Sequence, residues 1–478
     1  MNSDYMSVSI GRLETFLSRN YATAVIAVVG IGLILRVLAA VLEADINPAT
    51  AKVYEYGEIA AATVAHGSLT RQIPRPDGTI WVFPTAFMPP LGILIWLPVY
   101  KLLGVSRLAL ATIVSINVVC GAAIVYGCIR IARLLFGLAT IAVLAGIFAA
   151  FNPVFIYSVA TYHAVNLYLV ELLLLFYACS SVFAATTRQA ILIGVLFAVA
   201  ILTRTEYLIL GGALIFGALL RHRRPGLTAI SLLVALLLVA PWTARNYLVF
   251  GRFIPVANTA GLNLAKGFNA QANGSGHWMD VHGIIDQQFK AETDAIPLSR
   301  HYESDVDAVY RAGAREFIAH HPVRSFIVLP ARKILLFWFF DIYDDQTHSI
   351  LYQLSIWPVI LLSMVGIIFA FRSSLFRTPD HRSVVALFAA QTIVTVSYAV
   401  HARYRMNVDT FLFAYSAAGL VWVVCRGHLP ESFAGGAGGG GGSHHFASPV
   451  QHAGADAEPQ ALIAMIKGSG QETAGQHS

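Results

Sequence analysis

What this sequence has least of is charge. Asp, Glu, Lys and Arg together make up 12% of its 478 residues, about half the roughly 25% of a soluble domain. A water-soluble chain of this length needs a polar surface, and there are too few polar side chains here to build one. Cysteine is scarce too: Cys120, Cys128, Cys179 and Cys425 are the only four. Each lies inside an apolar run and none forms a CxxC pair, so they read as small buried hydrophobes rather than a disulfide frame or a thiolate metal site. No compact basic stretch is interleaved with aromatics, so the net charge of +6 is not a nucleic-acid footprint. No internal repeat stands out.

What is present is apolar and blocky. Hydrophobic residues make up 57% of the chain and the mean hydropathy is +0.66. The apolar residues fall in runs of about 20, the length that crosses a hydrocarbon core. Ten runs read as spans: 22–42, 108–129, 138–157, 164–184, 189–206, 207–220, 227–246, 350–371, 382–400 and 407–425. The first is too long for a signal-peptide core. Two more apolar stretches, 89–104 and 326–340, are ambiguous. The expected fold class is an all-α polytopic membrane protein, with about ten transmembrane helices plus interfacial helices on the outer face.

Charge orients the bundle. With Arg12 and Arg19 in the cytoplasm and both ambiguous stretches lying on the outer surface, the clusters Arg130/Arg133, Arg188, Arg221–Arg224 and Arg372/Arg377/Arg382 all fall inside. A crossing at 89–104 would move the first three outside. The expected organisation is therefore a cytoplasmic N-terminus (1–21), a membrane domain (22–425) with outer loops at 43–107 and 247–349, and a low-complexity, flexible cytoplasmic tail (426–478). Segment 305–321 places Val306, Val309, Tyr310, Gly313 and Phe317 on one helical face, which predicts a short interfacial helix. His444-His445 in the tail reads as solvated, with metal binding a minor alternative.

Polar groups beside hydrocarbon are costly and are functional candidates by default. Here they gather at the expected outer helix ends. The first loop holds Glu43, Asp45, Lys52, Glu55 and Glu58, followed along the chain by Tyr162, His163 and Asn166, by Arg204-Thr205-Glu206, by Arg245-Asn246 and by His401, Arg403 and Arg405. Arginines suit an anionic, phosphate-bearing substrate, and a carboxylate suits deprotonation of an acceptor hydroxyl. Each residue also has a plainer reading. Arg36 and Arg252 can snorkel, Arg204 and Glu206 can pair, Glu58 can be solvated, and His163 can be a bonded core histidine.

Ordered motifs carry a resemblance. They are Tyr56-Gly57-Glu58-Ile59-Ala60, Pro84-Thr85-Ala86-Phe87-Met88-Pro89-Pro90-Leu91, Leu202-Thr203-Arg204-Thr205-Glu206, Ala240-Pro241-Trp242-Thr243-Ala244-Arg245-Asn246-Tyr247, and His401-Ala402-Arg403-Tyr404-Arg405-Met406. In this order they resemble the bacterial branch of the GT-C glycosyltransferase superfamily, which includes protein O-mannosyltransferases and the lipid A aminoarabinose transferase. The resemblance covers roughly residues 20–425. It implies a multi-pass protein of the bacterial inner membrane that moves a sugar, with inversion, from a polyprenyl-phosphate carrier to an envelope glycan, lipid or protein on the outer face. The partners implied are that lipid-linked sugar, the envelope acceptor and membrane lipid, with no nucleic acid. A divalent metal, Mg or Mn, is the one cofactor it allows for.

The resemblance also assigns roles. Arg204, Glu206, Arg245, Asn246, His401, Arg403 and Arg405 would hold the donor phosphate and substrate. The base is open, because Lys52 stands where the family has its catalytic Asp and His163 stands near a second family acid. Asp45, Glu55 and His163 are the candidates, the last because an ordinary imidazole titrates near 6.5. Two other classes compete. One is a non-catalytic carrier-binding or envelope-assembly subunit, which the loss of the family acids suits. The other is a lipid-linked sugar transporter, for which inverted repeats and paired broken helices are missing.

Overall fold

The computed structural model describes residues 3–74, 78–180 and 185–425. The expected tail, with His444-His445, lies outside the described residues. In chain order the first elements are α1 (Ser3–Arg19), α2 (Tyr21–Glu43), α3 (Tyr54–His66), β1 (Thr70–Pro74), β2 (Ile80–Pro84), α4 (Pro90–Leu103) and α5 (Arg107–Phe136). Then come α6 (Ala139–Phe151), α7 (Pro153–Tyr157), α8 (Val165–Ala178), α9 (Thr187–Thr203), α10 (Tyr207–His222) and α11 (Pro225–Phe250). The next segment holds α12 (Ala260–Gly267), α13 (Gly276–Val281), α14 (Ile284–Gln288), α15 (Lys290–Asp294), α16 (Tyr302–His320) and α17 (Leu329–Trp338). The chain closes with α18 (Ile350–Arg372), α19 (Pro379–Ser397) and α20 (Ala402–Val424).

Each expected span falls mainly on helix among the described residues. Among the described residues, α2, α5, α11, α18 and α20 are each long and apolar enough to cross a membrane. The 138–157 run is a broken span: α6 and the following Pro153–Ala160 segment meet at 58°. Sequence chemistry makes the break. Asn152 accepts from the amides of Val154 and Phe155, and Pro153 starts the new helix without needing a donor. The carbonyls that the break leaves bare at the end of α6 need donors. Arg36, fully buried in α2, supplies them, donating to Ala149 O at 3.1 Å and Ala150 O at 3.4 Å. The cation also complements the negative end of α6. Arg36 therefore does not snorkel. Glu14 of α1 does the converse at the start of α6, accepting from the amides of Ala139 and Thr140 at 2.9 and 2.8 Å.

The ambiguous stretches form α4 and α17. Fourteen residues give α4 about 21 Å at 1.5 Å per residue, short of the ~30 Å hydrocarbon core. It packs on α3, α5 and α9. Before α17 comes a turn of π-helix, Arg324–Val328, whose Phe326 and Ile327 are 70% and 63% exposed, as expected for an apolar face turned toward lipid.

The outer segments carry two features that the sequence did not announce. Strands β1 and β2 pair antiparallel, with Arg71 opposite Phe83. Segment 247–349 builds a small core of its own, in which Ala265, Phe268, Ile285 and Phe289 meet Tyr310, Ala314 and Phe317. Segment 305–321 is a helix as expected, and its apolar face is turned into this core. This lobe is fastened to the bundle beside α20, where Gly276 N donates to Val400 O and Val400 N donates to Gly274 O at 2.9 Å.

Inside the bundle, α18 and α20 approach until backbone meets backbone. A methyl group on Gly366 would strike Tyr415 O, and one on Gly419 would strike Leu362 O. Small residues permit this approach, which is how helices gain packing where lipid offers no hydrophobic drive. Gly419→Ala should therefore cost about 1–3 kcal/mol through overpacking. Gly212→Ala, at a position with open space around it, should be neutral or mildly stabilising. Thermal unfolding in detergent distinguishes them, and equal midpoints for the two variants would refute the close crossing.

Candidate functional site

The site is assembled from three chain ends. The α9–α10 hairpin turns through Arg204-Thr205-Glu206, α20 begins just after His401, and α3 begins at Tyr54. Arg204 donates to Glu206 at 2.9 Å. Its guanidinium lies 4.7 Å from the Tyr168 ring centroid and 5.1 Å from that of Tyr404, a cation held between two aromatic faces. Arg403 lies within electrostatic reach of Arg204, Tyr168 and Glu55. Among the described residues it makes no hydrogen bond or ion pair; it has only Tyr404, 5.6 Å from its guanidinium, and its Nε is buried without a partner. An unmatched buried donor of this kind costs of order 1–3 kcal/mol, more when charged.

Glu55 is half-buried in the first turn of α3, where the helix dipole favours an anion. It too makes no hydrogen bond or ion pair among the described residues, and it is the carboxylate in the field of Arg403. The preceding residue, Tyr54, has φ 53, a left-handed conformation that costs a non-glycine residue roughly 1–3 kcal/mol. In that geometry its ring stacks on His163 at 3.7 Å. Burial, then Arg403, then Arg204 push the His163 pKa down to about 2. The ring is therefore neutral at physiological pH and has little affinity for a proton, which removes the ordinary titration near 6.5 that made it a candidate base.

The other expected site residues have the following partners. Asp45 is exposed and closes a local turn, accepting from Asn47 N at 3.0 Å; that bond, then one from Thr50, lowers its pKa. Lys52 and Glu58 are exposed. Arg245 donates to Thr85 O at 2.8 Å and packs on Trp242, while Asn246 is buried and donates to Ile254 O at 3.1 Å. Arg245 thus fastens the Pro84-Thr85-Ala86 segment, and Asn246 holds the 254–256 loop while accepting from Arg245 at 3.1 Å. From the other side Glu303 accepts from Thr85 Oγ1 at 2.6 Å and from Ala86 N at 2.9 Å. Arg405 pairs with Asp409 at 3.1 Å and donates to Trp338 O and Phe339 O at 2.8 and 2.6 Å, so it caps the end of α17. His401 packs on Gly276, its Nε2 3.8 Å from Asp280, which pairs with Lys266 at 2.6 Å.

Sequence reasoning passed over Glu171. It is buried in α8, accepts from Thr203 Oγ1 at 2.8 Å and leaves its second oxygen unpartnered. A lone acid in the run Val165–Ala178 was the available signal. Thr203 O in turn accepts from Tyr56 OH at 3.1 Å, which ties the first motif to the third.

No protein-family model matches the sequence, and no curated protein matches it either. Solved structures do. The chain superposes on the oligosaccharyltransferase AglB from Archaeoglobus fulgidus, in complex with an inhibitory peptide and a dolichol-phosphate. The TM-score is 0.50 at 14% identity, covering 95% of this chain and 54% of that one. The same organism's oligosaccharyltransferase, tethered with an acceptor peptide containing the NVT sequon, gives a TM-score of 0.51 at 14% identity, covering 85% and 50%. At this identity the likeness is one of fold, shared with the archaeal oligosaccharyltransferases. This chain spans about half the length of those archaeal proteins. ArnT from Cupriavidus metallidurans, bound to undecaprenyl phosphate, is also similar, at 15% identity over 83% of this chain and 78% of that one. Its TM-score of 0.40 is too low to add weight.

A divalent metal does not fit the residues grouped around Arg403. Among the described residues no three His, Cys, Asp or Glu side chains are grouped to hold one. Around Arg403, Glu206 is paired with Arg204 and His163 is stacked on Tyr54, which leaves Glu55 as a lone carboxylate. The two guanidiniums already supply the positive charge.

Two expectations follow. Arg405→Gln should lower the folded yield and unfolding temperature, because it uncaps α17 and leaves Asp409 alone, a buried-pair loss of about 3–5 kcal/mol. Arg403→Gln should leave both unchanged or raised; gel filtration and thermal unfolding compare them, and equal losses would overturn the division of roles. Because the His163 pKa is lower folded than unfolded, stability should fall as pH drops from 6.5 toward 2, where only the unfolded chain takes up the proton. His163→Phe should flatten that part of the profile, and an unchanged slope would refute the assignment.

Proposed function

We propose that this protein is a membrane glycosyltransferase that moves a sugar from a polyprenyl-phosphate donor to an envelope acceptor at its outer face, with inversion. The GT-C fold supports a membrane transferase of lipid-linked sugars. The observation that carries the reading is Arg403, a guanidinium with unused donors among the described residues, in whose field lies a carboxylate, Glu55, with unused acceptors. A donor phosphate seated on Arg403, with Arg204 behind it, gives those donors partners and relieves the repulsion between the two cations. Charge developing on the leaving phosphate is then stabilised by groups already in position.

Glu55 is the base in this reading. The acceptor oxygen attacks the anomeric carbon from the side opposite the phosphate and its proton passes to Glu55. The bond from the anomeric carbon to the phosphate oxygen breaks, and polyprenyl phosphate leaves with the electron pair. Attack opposite the leaving group inverts the anomeric centre. Tyr54, held in its unusual conformation by the His163 stack, positions Glu55. His163 is thus a positioning residue, and Asp45 lies outside the chemistry.

The test is transfer from a panel of radiolabelled undecaprenyl-phosphate sugars to envelope extract by the purified protein. Glu55→Gln should lower kcat by about 10²–10⁴-fold with donor binding retained. Arg403→Ala should raise the donor KM, and Asp45→Asn should leave the rate near wild type. Full activity in Glu55→Gln, or no transfer from any donor, would sink the proposal. Donor binding without transfer would instead favour a carrier-binding subunit.

A further inference from the structure

The outer lobe encloses a cavity of about 310 Å³, inside the 300–1,000 Å³ range of small-molecule sites. The β1–β2 register places Arg71, Ile73 and Phe83 on the one hairpin face that lines it. Phe87, Tyr302 and Tyr310 bring further rings, and Asp286 stands opposite with Asp280 and Lys266. Its rings are held in place: Tyr302 meets Trp81 and Phe83 edge-on at 5.0 and 5.8 Å, and Tyr310 OH donates to Asp286 at 3.2 Å. Glu303 and Asp307 also line the wall, but both are occupied by loop amides.

The unused polar groups describe the ligand. Arg71 makes no hydrogen bond or ion pair among the described residues and lies 4.0 Å from the Phe87 ring centroid. It can only donate, the second oxygen of Asp286 can only accept, and Tyr302 OH can do both. A phosphate would meet the carboxylates unfavourably. An acyl chain would leave the charged groups without partners. A neutral ring bearing several hydroxyls satisfies all three groups, and its C–H faces suit the aromatic walls. We propose that this cavity binds a neutral sugar residue of the acceptor glycan. One wall of the cavity reaches toward the start of α20: the Asp280 that lines it lies 3.8 Å from His401, two residues before Arg403. Its role as an acceptor site rests on the transferase reading; its capacity to bind a glycoside does not.

Saturation-transfer NMR on the full-length protein in detergent, with methyl glycosides of mannose, galactose, N-acetylglucosamine and arabinose, tests this. At least one glycoside should be saturated by the wild type. Arg71→Gln and Asp286→Asn should weaken its binding about tenfold, the loss expected for a hydrogen bond to a charged group. Val306→Phe, which fills the cavity and removes no polar group, should abolish binding. Glu55→Gln should retain it even where transfer is lost, so a failure of the proposed chemistry is distinguishable from a failure of this site. The proposal is overturned if no glycoside is saturated, if short peptides are saturated and glycosides are not, or if Val306→Phe binds as the wild type does.

Discussion

A guanidinium inside an apolar bundle must find acceptors, and this requirement organises the molecule. Arg36 finds them at the broken end of α6, Arg405 at the end of α17 and Arg245 at the carbonyl of Thr85. Each joins elements distant in the chain by answering backbone carbonyls that lipid cannot answer. Remove those cations from the list of candidates and Arg403 remains, buried in part and unmatched. The function proposed here depends on that unmatched cation: structural arginines are recognised by what they bond, and a candidate ligand-binding arginine by what it does not.

The same division holds for the acids. Glu14 and Glu303 accept from backbone amides, Glu206 and Asp409 neutralise arginines, and Asp45 closes a turn. Glu55 has none of these duties. Its neighbour Tyr54 carries a strained backbone, and strain is retained where surrounding contacts over-determine it, here the stack on His163. A carboxylate and a cation that, among the described residues, have no partners while lying in each other's field are unfavourable for folding alone. Such an arrangement makes physical sense when a ligand completes it.

The outer lobe links the two halves of the proposed reaction. Close approach at Gly276 allows His401 and the lobe backbone to meet, which seats the lobe beside the start of α20. The Lys266–Asp280 pair then forms a shared wall, with the aromatic cavity on one side and His401 on the other. Polar work is thereby kept at the loop ends, while the bundle supplies rigidity through crossings such as α18 on α20.

Much of the fold was legible in the sequence because hydrocarbon imposes a simple rule: about 20 apolar residues in a row make a helix. Among the described residues each of the ten runs falls mainly on helix, and the chain shares its fold with the solved oligosaccharyltransferases. The break at Asn152-Pro153 was hidden inside one run, because apolar content does not record a change of axis. The β1–β2 hairpin was missed because two five-residue strands carry little periodicity. The short list Asp45, Glu55, His163 and the arginines was written in the sequence, but their separate duties were not. Residue type fixes what a side chain can donate or accept. Only the tertiary structure decides which carbonyl, ring or charge stands within reach, and therefore which group is left free to act.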